Sequence, residues 1–190
     1  MVCPNCKKLS PLGQTHKGCK TKYGLDGLVS IYKYTGTVRE LIGKLKYGYV
    51  KDIGNVLTDH CVSNLANCLI FKKPILVPIP LSGKRERWRG LNQTEIMGEK
   101  IAHQLDWDYQ PFLVKRIMNR RPQVGLKNEE RLRNICGIFA VNRQVAGKIN
   151  QSKTVVLFDD VWTSGSTIKE ACKELKKAGF RTVWGLTIAR

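Results

Sequence analysis

Apolar residues along the chain follow two patterns that alternate. Short apolar runs rich in β-branched residues predict strands at 25–34, 74–80, 154–160 and 182–189. Apolar residues at helical spacing predict helices at 37–46, 50–68, 92–105 and 166–178. Weaker patterns predict a short strand or helix edge at 112–117, a charged helix at 128–134 and a strand at 136–141. Strands that alternate with helices favour an α/β fold with a mainly parallel, twisted sheet flanked by helices.

The segment 154–167 carries the clearest chemistry. Its apolar strand ends in two adjacent acids, Asp159 and Asp160, and a loop rich in Ser, Thr and Gly then leads into a helix. Carboxylates at the carboxyl end of a parallel strand can accept hydrogen bonds from sugar hydroxyls and help to hold a divalent cation. Hydroxyls and N–H groups at a helix N-terminus suit a phosphate monoester. This pattern predicts a site for a phosphorylated sugar, and the alternative is an ordinary strand-turn-helix with a polar cap.

A second strand leads into a basic loop. Residues 74–80 contain prolines at 78 and 80, which cannot donate to a strand ladder and mark the point where the chain leaves the sheet. The loop that follows, 81–90, contains two glycines and four Lys or Arg residues. A basic, glycine-containing loop at a strand's carboxyl end can cradle an anion. This loop is therefore a second candidate anion-binding segment.

Four residues near the N-terminus have the spacing of a metal site. Cys3 and Cys6 form one close pair, and His16 and Cys19 form another nine residues further on. Three thiolates and one imidazole favour structural Zn²⁺, which can hold a segment that has no apolar core of its own. A redox CxxC pair and a chance arrangement are the alternatives. We predict a zinc knuckle in residues 1–24 and a second domain in residues 25–190.

The overall charge points to anionic partners. The chain has 33 Lys and Arg against 15 Asp and Glu, a net charge of +18, with clusters at 84–89 and 115–133. Such an excess favours nucleic acid, anionic surfaces or pyrophosphate-bearing substrates, although simple solubility could also explain it. No signal-peptide pattern or membrane-length apolar run is present, so a cytoplasmic location is expected.

These motifs, in this order, resemble the ComF family within the type I phosphoribosyltransferases. The resemblance rests on the cysteine-rich knuckle, the Tyr-x-Tyr-Thr-Gly and Leu-Lys-Tyr-Gly segments, Val-Pro-Ile-Pro-Leu, Arg-Trp-Arg-Gly-Leu-Asn-Gln and the acidic pair before Thr-Ser-Gly-Ser-Thr. It implies the type I phosphoribosyltransferase fold, with 5-phosphoribosyl-1-pyrophosphate (PRPP) and Mg²⁺ bound at the carboxyl edge of the sheet. His16 is a departure, because family members more often have cysteine there.

The resemblance also implies a role for each part of the site. The acids Asp159 and Asp160 would contact the ribose, and the 5′-phosphate would be held by Thr163, Ser164, Gly165, Ser166 and Thr167. The pyrophosphate would face Leu81, Ser82, Gly83, Lys84 and Arg85. The basic segment 120–133 resembles a hood over PRPP.

The resemblance leaves three functions open. They are phosphoribosyl transfer to an unknown acceptor, linked to DNA uptake; PRPP binding without turnover in a regulator or adaptor; and single-stranded DNA handling with a helicase-type competence partner. No residue is marked by the sequence as a general base, so activity remains undecided at this point.

Overall fold

A five-stranded parallel sheet forms the centre of the computed structural model, which describes residues 1–47, 51–66, 71–81, 92–117 and 137–190. The strands are β1 (Gly27–Tyr32), β2 (Ile75–Pro78), β3 (Asp108–Tyr109), β6 (Val155–Val161) and β7 (Val183–Ala189). Their order across the sheet is β1-β7-β6-β2-β3, and every neighbouring pair is parallel. The predicted α/β class with a mainly parallel sheet is confirmed.

Helices cover both faces of this sheet. The helices α1 (Gly36–Tyr47), α2 (Lys51–Ala66) and α3 (Gln93–Gln104) pack on one face around Leu76, Phe158 and Leu186. Helix α5 (Ser166–Lys177) packs on the other face, together with a small antiparallel pair, β4 (Val114–Arg116) and β5 (Phe139–Val141). A one-turn helix, α4 (Arg143–Ala146), follows β5. Burial on both faces explains the uninterrupted apolar runs of the central strands.

The N-terminal 24 residues form a series of turns that pack against β1. Two short 3₁₀ turns, Pro11–Gly13 and Lys17–Cys19, account for its regular structure. The amide of Thr15 donates to the Asp26 carbonyl at 2.8 Å, and its hydroxyl donates to the Leu25 carbonyl at 2.7 Å. Gly13 approaches so closely that an added Cβ would lie 2.0 Å from the Leu28 oxygen. We call residues 1–24 the metal module, for the cluster described below.

Most predicted elements are present, with shifted bounds. Strand β6 ends at Val161, one residue beyond the predicted end at Asp159 and Asp160, because Asp159 and Val161 pair with Thr187 and Ala189 of β7. Residues 112–117, for which either a short strand or a helix edge was predicted, contain the strand β4. The two-residue edge strand β3 was not predicted. The charged helix predicted at 128–134 lies outside the described residues.

Candidate functional site

The site lies where the chain reverses its direction across the sheet. From β2 the chain moves outward to β3, whereas from β6 it moves the opposite way to β7. In open parallel sheets, ligands bind in the crevice at the carboxyl ends of the two strands that flank such a switch point. Strands β2 and β6 are in register up to Pro78 and Phe158, and the Ile79 amide donates to the Phe158 carbonyl at 2.9 Å. The acidic pair and the start of the basic loop therefore flank one crevice.

Asp159 and Asp160 are half-buried at the edge of this crevice. Their backbone is fixed by the ladder to β7, since the pairs Asp159–Thr187 and Val161–Ala189 enclose them. The Asp160 amide also donates to Asp159 Oδ1 at 2.8 Å, which orients that carboxylate. Two carboxylates on a rigid strand, each with surface open to solvent, can accept hydrogen bonds from a polyol or contribute ligands to a hard cation.

Gly165 shapes the loop between β6 and α5. Its φ of +72° is left-handed, and a Cβ at this position would lie 2.1 Å from Cζ2 of Trp162, so only glycine fits. Ser164 and Ser166 share a hydroxyl–hydroxyl hydrogen bond of 2.8 Å around it. The loop ends at the N-terminus of α5, whose first N–H groups and dipole favour an anion. Thr163 is exposed and Thr167 half-buried, so all five predicted loop residues, 163–167, come together here.

Two cations flank the Trp162 ring behind this loop, and neither was predicted. Trp162 is 5% exposed, with Lys169 Nζ at 5.6 Å and Arg190 Cζ at 5.8 Å from its ring centroid. Burial lowers the pKa of Lys169, and the positive charge of Arg190 lowers it further. Burial also lowers the pKa of Arg190. Lys169 lies one helical turn after the start of α5, so its closeness to the loop could have been predicted from the sequence. Nothing in the sequence around Arg190 indicates its place beside Trp162.

The expected pyrophosphate loop is described only at its start. Leu81 is half-buried just beyond the end of β2, and Ser82, Gly83, Lys84 and Arg85 lie outside the described residues. At the other end of that loop, Asn92 caps α3 by accepting from the Thr94 amide at 3.2 Å. The Thr94 hydroxyl donates to the Ile79 carbonyl at 3.2 Å. These bonds tie the start of α3 to the end of β2 and fix both ends of the loop.

Cys3, Cys6, His16 and Cys19 converge in the metal module. Their ligand atoms all lie within 4.8 Å of one another, and Cys6 Sγ is 3.3 Å from His16 Nδ1. The second ring nitrogen, His16 Nε2, lies 3.0 Å from the Leu9 carbonyl, which fixes Nδ1 as the free ligand atom when Nε2 donates. Three sulfurs and one nitrogen in this arrangement could hold a metal such as zinc.

Backbone turns support this cluster. Lys7, with a left-handed φ of +62°, donates from its amide to the Cys3 carbonyl at 3.0 Å, which closes the Cys3–Cys6 turn. The Cys19 amide donates to the His16 carbonyl at 2.8 Å. Burial raises the pKa of the Cys3 thiol, but hydrogen bonds from the backbone of Cys6, His16 and Asn5 outweigh it and lower the pKa to about 6. A hydrogen bond to Cys6, together with burial, raises the pKa of Cys19 to about 11. One thiol is thus ready to ionise, and a cation would have to release the other proton.

A cavity of about 630 Å³ separates the metal module from α5. The module contributes Asn5, Cys6, Cys19 and Tyr23, and α5 contributes Ser166, Lys169, Glu170 and Lys173. The Glu170 carboxylate accepts from the Gly137 amide at 2.7 Å and lies 3.4 Å from Lys173 Nζ. The metal module therefore faces α5, the helix that begins at the loop 163–167.

No protein-family model matches the chain, but individual curated proteins do. Competence protein F of Haemophilus influenzae is 34% identical over 116 residues, which cover 60% of this chain and 50% of that protein. Competence protein ComFC of Bacillus subtilis is 28% identical over 186 residues, 94% of this chain and 72% of the relative. DNA utilization protein YhgH of Salmonella typhi is 29% identical over 163 residues, which cover 82% of this chain and 68% of that protein. The match spans half the length of the Haemophilus protein, and the resemblance to the ComF family is confirmed over most of this chain.

Two solved structures resemble the fold of this chain, each with a TM-score of 0.45. One is adenine phosphoribosyltransferase from Leishmania tarentolae, 13% identical, covering 85% of this chain and 90% of that one. The other is the allosteric regulatory enzyme of purine biosynthesis, 15% identical, covering 71% of this chain and 26% of that one. The fold assignment itself follows from the order and direction of the strands described above.

Proposed function

We propose that this chain, a relative of the ComF-type competence proteins, binds Mg²⁺-PRPP at the carboxyl edge of its sheet and transfers the phosphoribosyl group to an acceptor still to be identified. One observation carries the proposal. The acidic pair, the left-handed phosphate loop and the start of the basic loop flank one crevice at the switch point between β2 and β6. A ribose with a 5′-phosphate on one side and a pyrophosphate on the other has this distribution of polar groups.

Each part of the crevice would have a defined task. In the reaction, the bond from the anomeric carbon to pyrophosphate breaks, and a lone pair of the acceptor forms the new bond while the acceptor loses a proton. Asp159 and Asp160 would accept from the ribose hydroxyls and favour the positive charge that develops on the ring. Residues 163–167 would hold the 5′-phosphate, and residues 81–85 would face the leaving pyrophosphate. Mg²⁺, when bound, would add positive charge at the pyrophosphate.

Calorimetric titration with PRPP in the presence of Mg²⁺ tests this site. Joint replacement Asp159→Asn and Asp160→Asn should abolish measurable binding, because both carboxylate charges are lost while the side-chain shapes remain. Asp52→Asn, which removes an exposed carboxylate on α2, is the matched control and should bind like wild type. Equal affinity for the double variant and the control would refute the assignment.

For the N-terminal 24 residues we propose a structural zinc module distinct from the phosphoribosyltransferase-like domain of residues 25–190. The Cys3, Cys6, His16 and Cys19 set would fill all four positions of a tetrahedral ion and leave none open for chemistry. Elemental analysis should find about one zinc per chain. A Cys3→Ser protein that keeps its full zinc content would contradict the proposal.

A second function is favoured by the charge of the metal module. Its first 24 residues contain five lysines, Lys7, Lys8, Lys17, Lys20 and Lys22, and no acid. Such a surface fits a PRPP-binding regulator or adaptor that handles single-stranded DNA during uptake with a helicase-type partner. A pyrophosphate-release screen against nucleobases and amines, with and without single-stranded DNA, separates the two. Release with one acceptor supports transfer; PRPP and salt-sensitive DNA binding without release supports the adaptor.

A further inference from the structure

The metal complex proposed above would carry a net negative charge in a partly buried place. Three thiolates and one neutral imidazole around a divalent ion leave one negative charge on the complex. Cys3, one of the four ligands, is fully buried. A charge that is only partly hydrated must be compensated nearby, since desolvation otherwise disfavours it. The cations closest to the module therefore bear on whether the metal binds.

Two cations outside the metal module, Lys169 and Arg190, are placed to compensate the negative charge of the metal complex. Arg190 Nη1 donates to the carbonyl of Val2, next to Cys3 in the chain, at 3.4 Å. Lys169 lines the cavity that Cys6 and Cys19 also line. Both Lys169 and Arg190 lie within electrostatic range of the Cys3 sulfur, whose negative charge favours their charged forms.

Within the described residues, no ion pair with a carboxylate accounts for the position of Lys169 or Arg190. The ion pairs found in the described part of the chain join other residues, such as Lys173 with Glu170 and Lys176 with Asp26. Instead, both Lys169 and Arg190 lie against the ring of Trp162, where their like charges repel each other. Two like charges held together against an aromatic ring are unfavourable unless a negative group lies close to both.

We propose that Lys169 and Arg190 neutralise the thiolate-rich metal complex and thereby hold the metal module against the back of the phosphate loop. The inference rests on the proposed zinc module and adds residues of the core domain to it. Trp162 is the link, because its ring contacts both cations and also fills the space above Gly165. Lys169 and Arg190 are thus positioning residues for the metal, without being ligands.

Zinc affinity, measured by competition with a chromogenic chelator, tests the proposal on the full chain. Lys169→Met should weaken zinc binding about threefold to tenfold, as expected for one partly screened charge near the complex. Arg190→Met should act in the same direction. Lys169→Arg keeps the charge and should restore the affinity. Lys177→Met is the matched control, since Lys177 lies in the last turn of the same helix and pairs with Glu174 at 2.8 Å.

The visible spectrum of the Co²⁺-loaded variants shows whether the four ligands remain tetrahedral. Unchanged bands together with weaker binding identify a charge effect and support the proposal. Zinc affinity of Lys169→Met and Arg190→Met within a factor of two of wild type would overturn it. Absence of zinc from the wild-type protein would instead refute the zinc module itself, so the two failures are distinguishable.

Discussion

The metal module and the segment β6-loop-α5 are stabilised in opposite ways. In β6, Val155, Val156, Leu157 and Phe158 are all fully buried, and the apolar side of α5 packs against the sheet. In the module, the large apolar side chains of Leu9, Leu12 and Met1 are 84%, 51% and 48% exposed. The module therefore gains little from apolar burial and depends on its turns, its bonds to residues 25–27 and, when a metal is bound, its four candidate ligands.

Because of this difference, the β6-loop-α5 region should unfold together with the sheet, whereas the metal module should respond to the presence of metal. Loss of a buried side chain in β6 acts on the whole domain, because the sheet and both helix layers share that strand. Loss of the metal acts first on a lobe with few apolar contacts, and regions of that kind open locally. The loop 163–167 belongs to the second region; Trp162 packs against its Gly165 and against Arg190, and Arg190 in turn reaches Val2 of the module.

The largest effect is expected from Phe158→Ala. Phe158 is fully buried between the sheet and α3, where a Cβ added to Gly98 would lie 3.3 Å from its ring. Removing the ring should lower the free energy of unfolding by about 3–5 kcal/mol, through lost burial and the cavity left behind. Phe112→Ala is the control, since Phe112 is 75% exposed, and should change stability by about 0.5 kcal/mol or less. Similar urea midpoints for the two variants would contradict this account of the core.

Gly165→Ala should have the next largest effect. A Cβ would require φ of +72° in a non-glycine residue and would overlap the Trp162 ring. We expect a stability loss of about 1–3 kcal/mol and a loss of PRPP affinity, because the loop must shift to relieve the overlap. Gly43→Ala in α1 is the control: nothing lies within 4 Å of its Cβ position, so this change should stabilise the helix by about 1 kcal/mol. Unaltered PRPP binding in Gly165→Ala would show that the loop does not hold the phosphate.

The sequence was sufficient to predict those parts of the fold that depend on residues close together in the chain. The strand-acid-loop-helix order at 154–178 and the two ligand pairs of the module were predicted because each lies in one short segment. The buried face of α5, with Ile168, Ala171, Cys172 and Leu175, follows from helical spacing alone.

Contacts between distant segments could not be predicted in this way. Strand β6 extends to Val161 because its ladder to β7 continues, and that pairing joins residues far apart in the chain. The two-residue strand β3 has no apolar run of its own and forms through its register with Ile75 and Leu76. Arg190 contacts Val2 across 188 positions, so its place beside the metal module has no local signature.

Zinc removal should affect the core only slightly. We expect chelation to shift the thermal midpoint of the main transition by only about 2–4 °C, equivalent to about 1 kcal/mol, because the sheet and its two apolar layers remain. Limited proteolysis should at the same time cut rapidly within residues 1–24, where the ligands no longer hold the turns. Restored resistance after zinc is added back is the control. A chelated protein that loses its cooperative core transition would show that the two regions do not behave separately.

The smallest effect, and the sharpest contrast, concerns the cysteines of the two regions. Burial raises the pKa of Cys61 and of Cys172 to about 12, whereas the pKa of Cys3 in the metal-free module is about 6. Cys3 is ionised at pH 7 but fully buried, so iodoacetamide should label it in the chelated protein as the module opens locally, and should leave Cys61 and Cys172 in the closed core unmodified. Peptide mass spectrometry measures each site separately.

The pH dependence of that labelling has a definite sign. Because the folded pKa of Cys3 is lowered from 9.0 to about 6, the folded module gains stability as the pH rises across that range, so Cys3 labelling in chelated protein, taken relative to urea-unfolded protein at the same pH, should decrease from pH 6 to pH 9. A thiol whose folded pKa is raised stays protonated well above its usual 9.0, so Cys61 should remain unlabelled at pH 9 in the native state and react once urea unfolds the core. Zinc-loaded protein, in which the module thiolates are occupied, is the control for Cys3. Equal labelling of Cys3 and Cys61 in chelated, folded protein would mean that metal removal opens the core as well as the module.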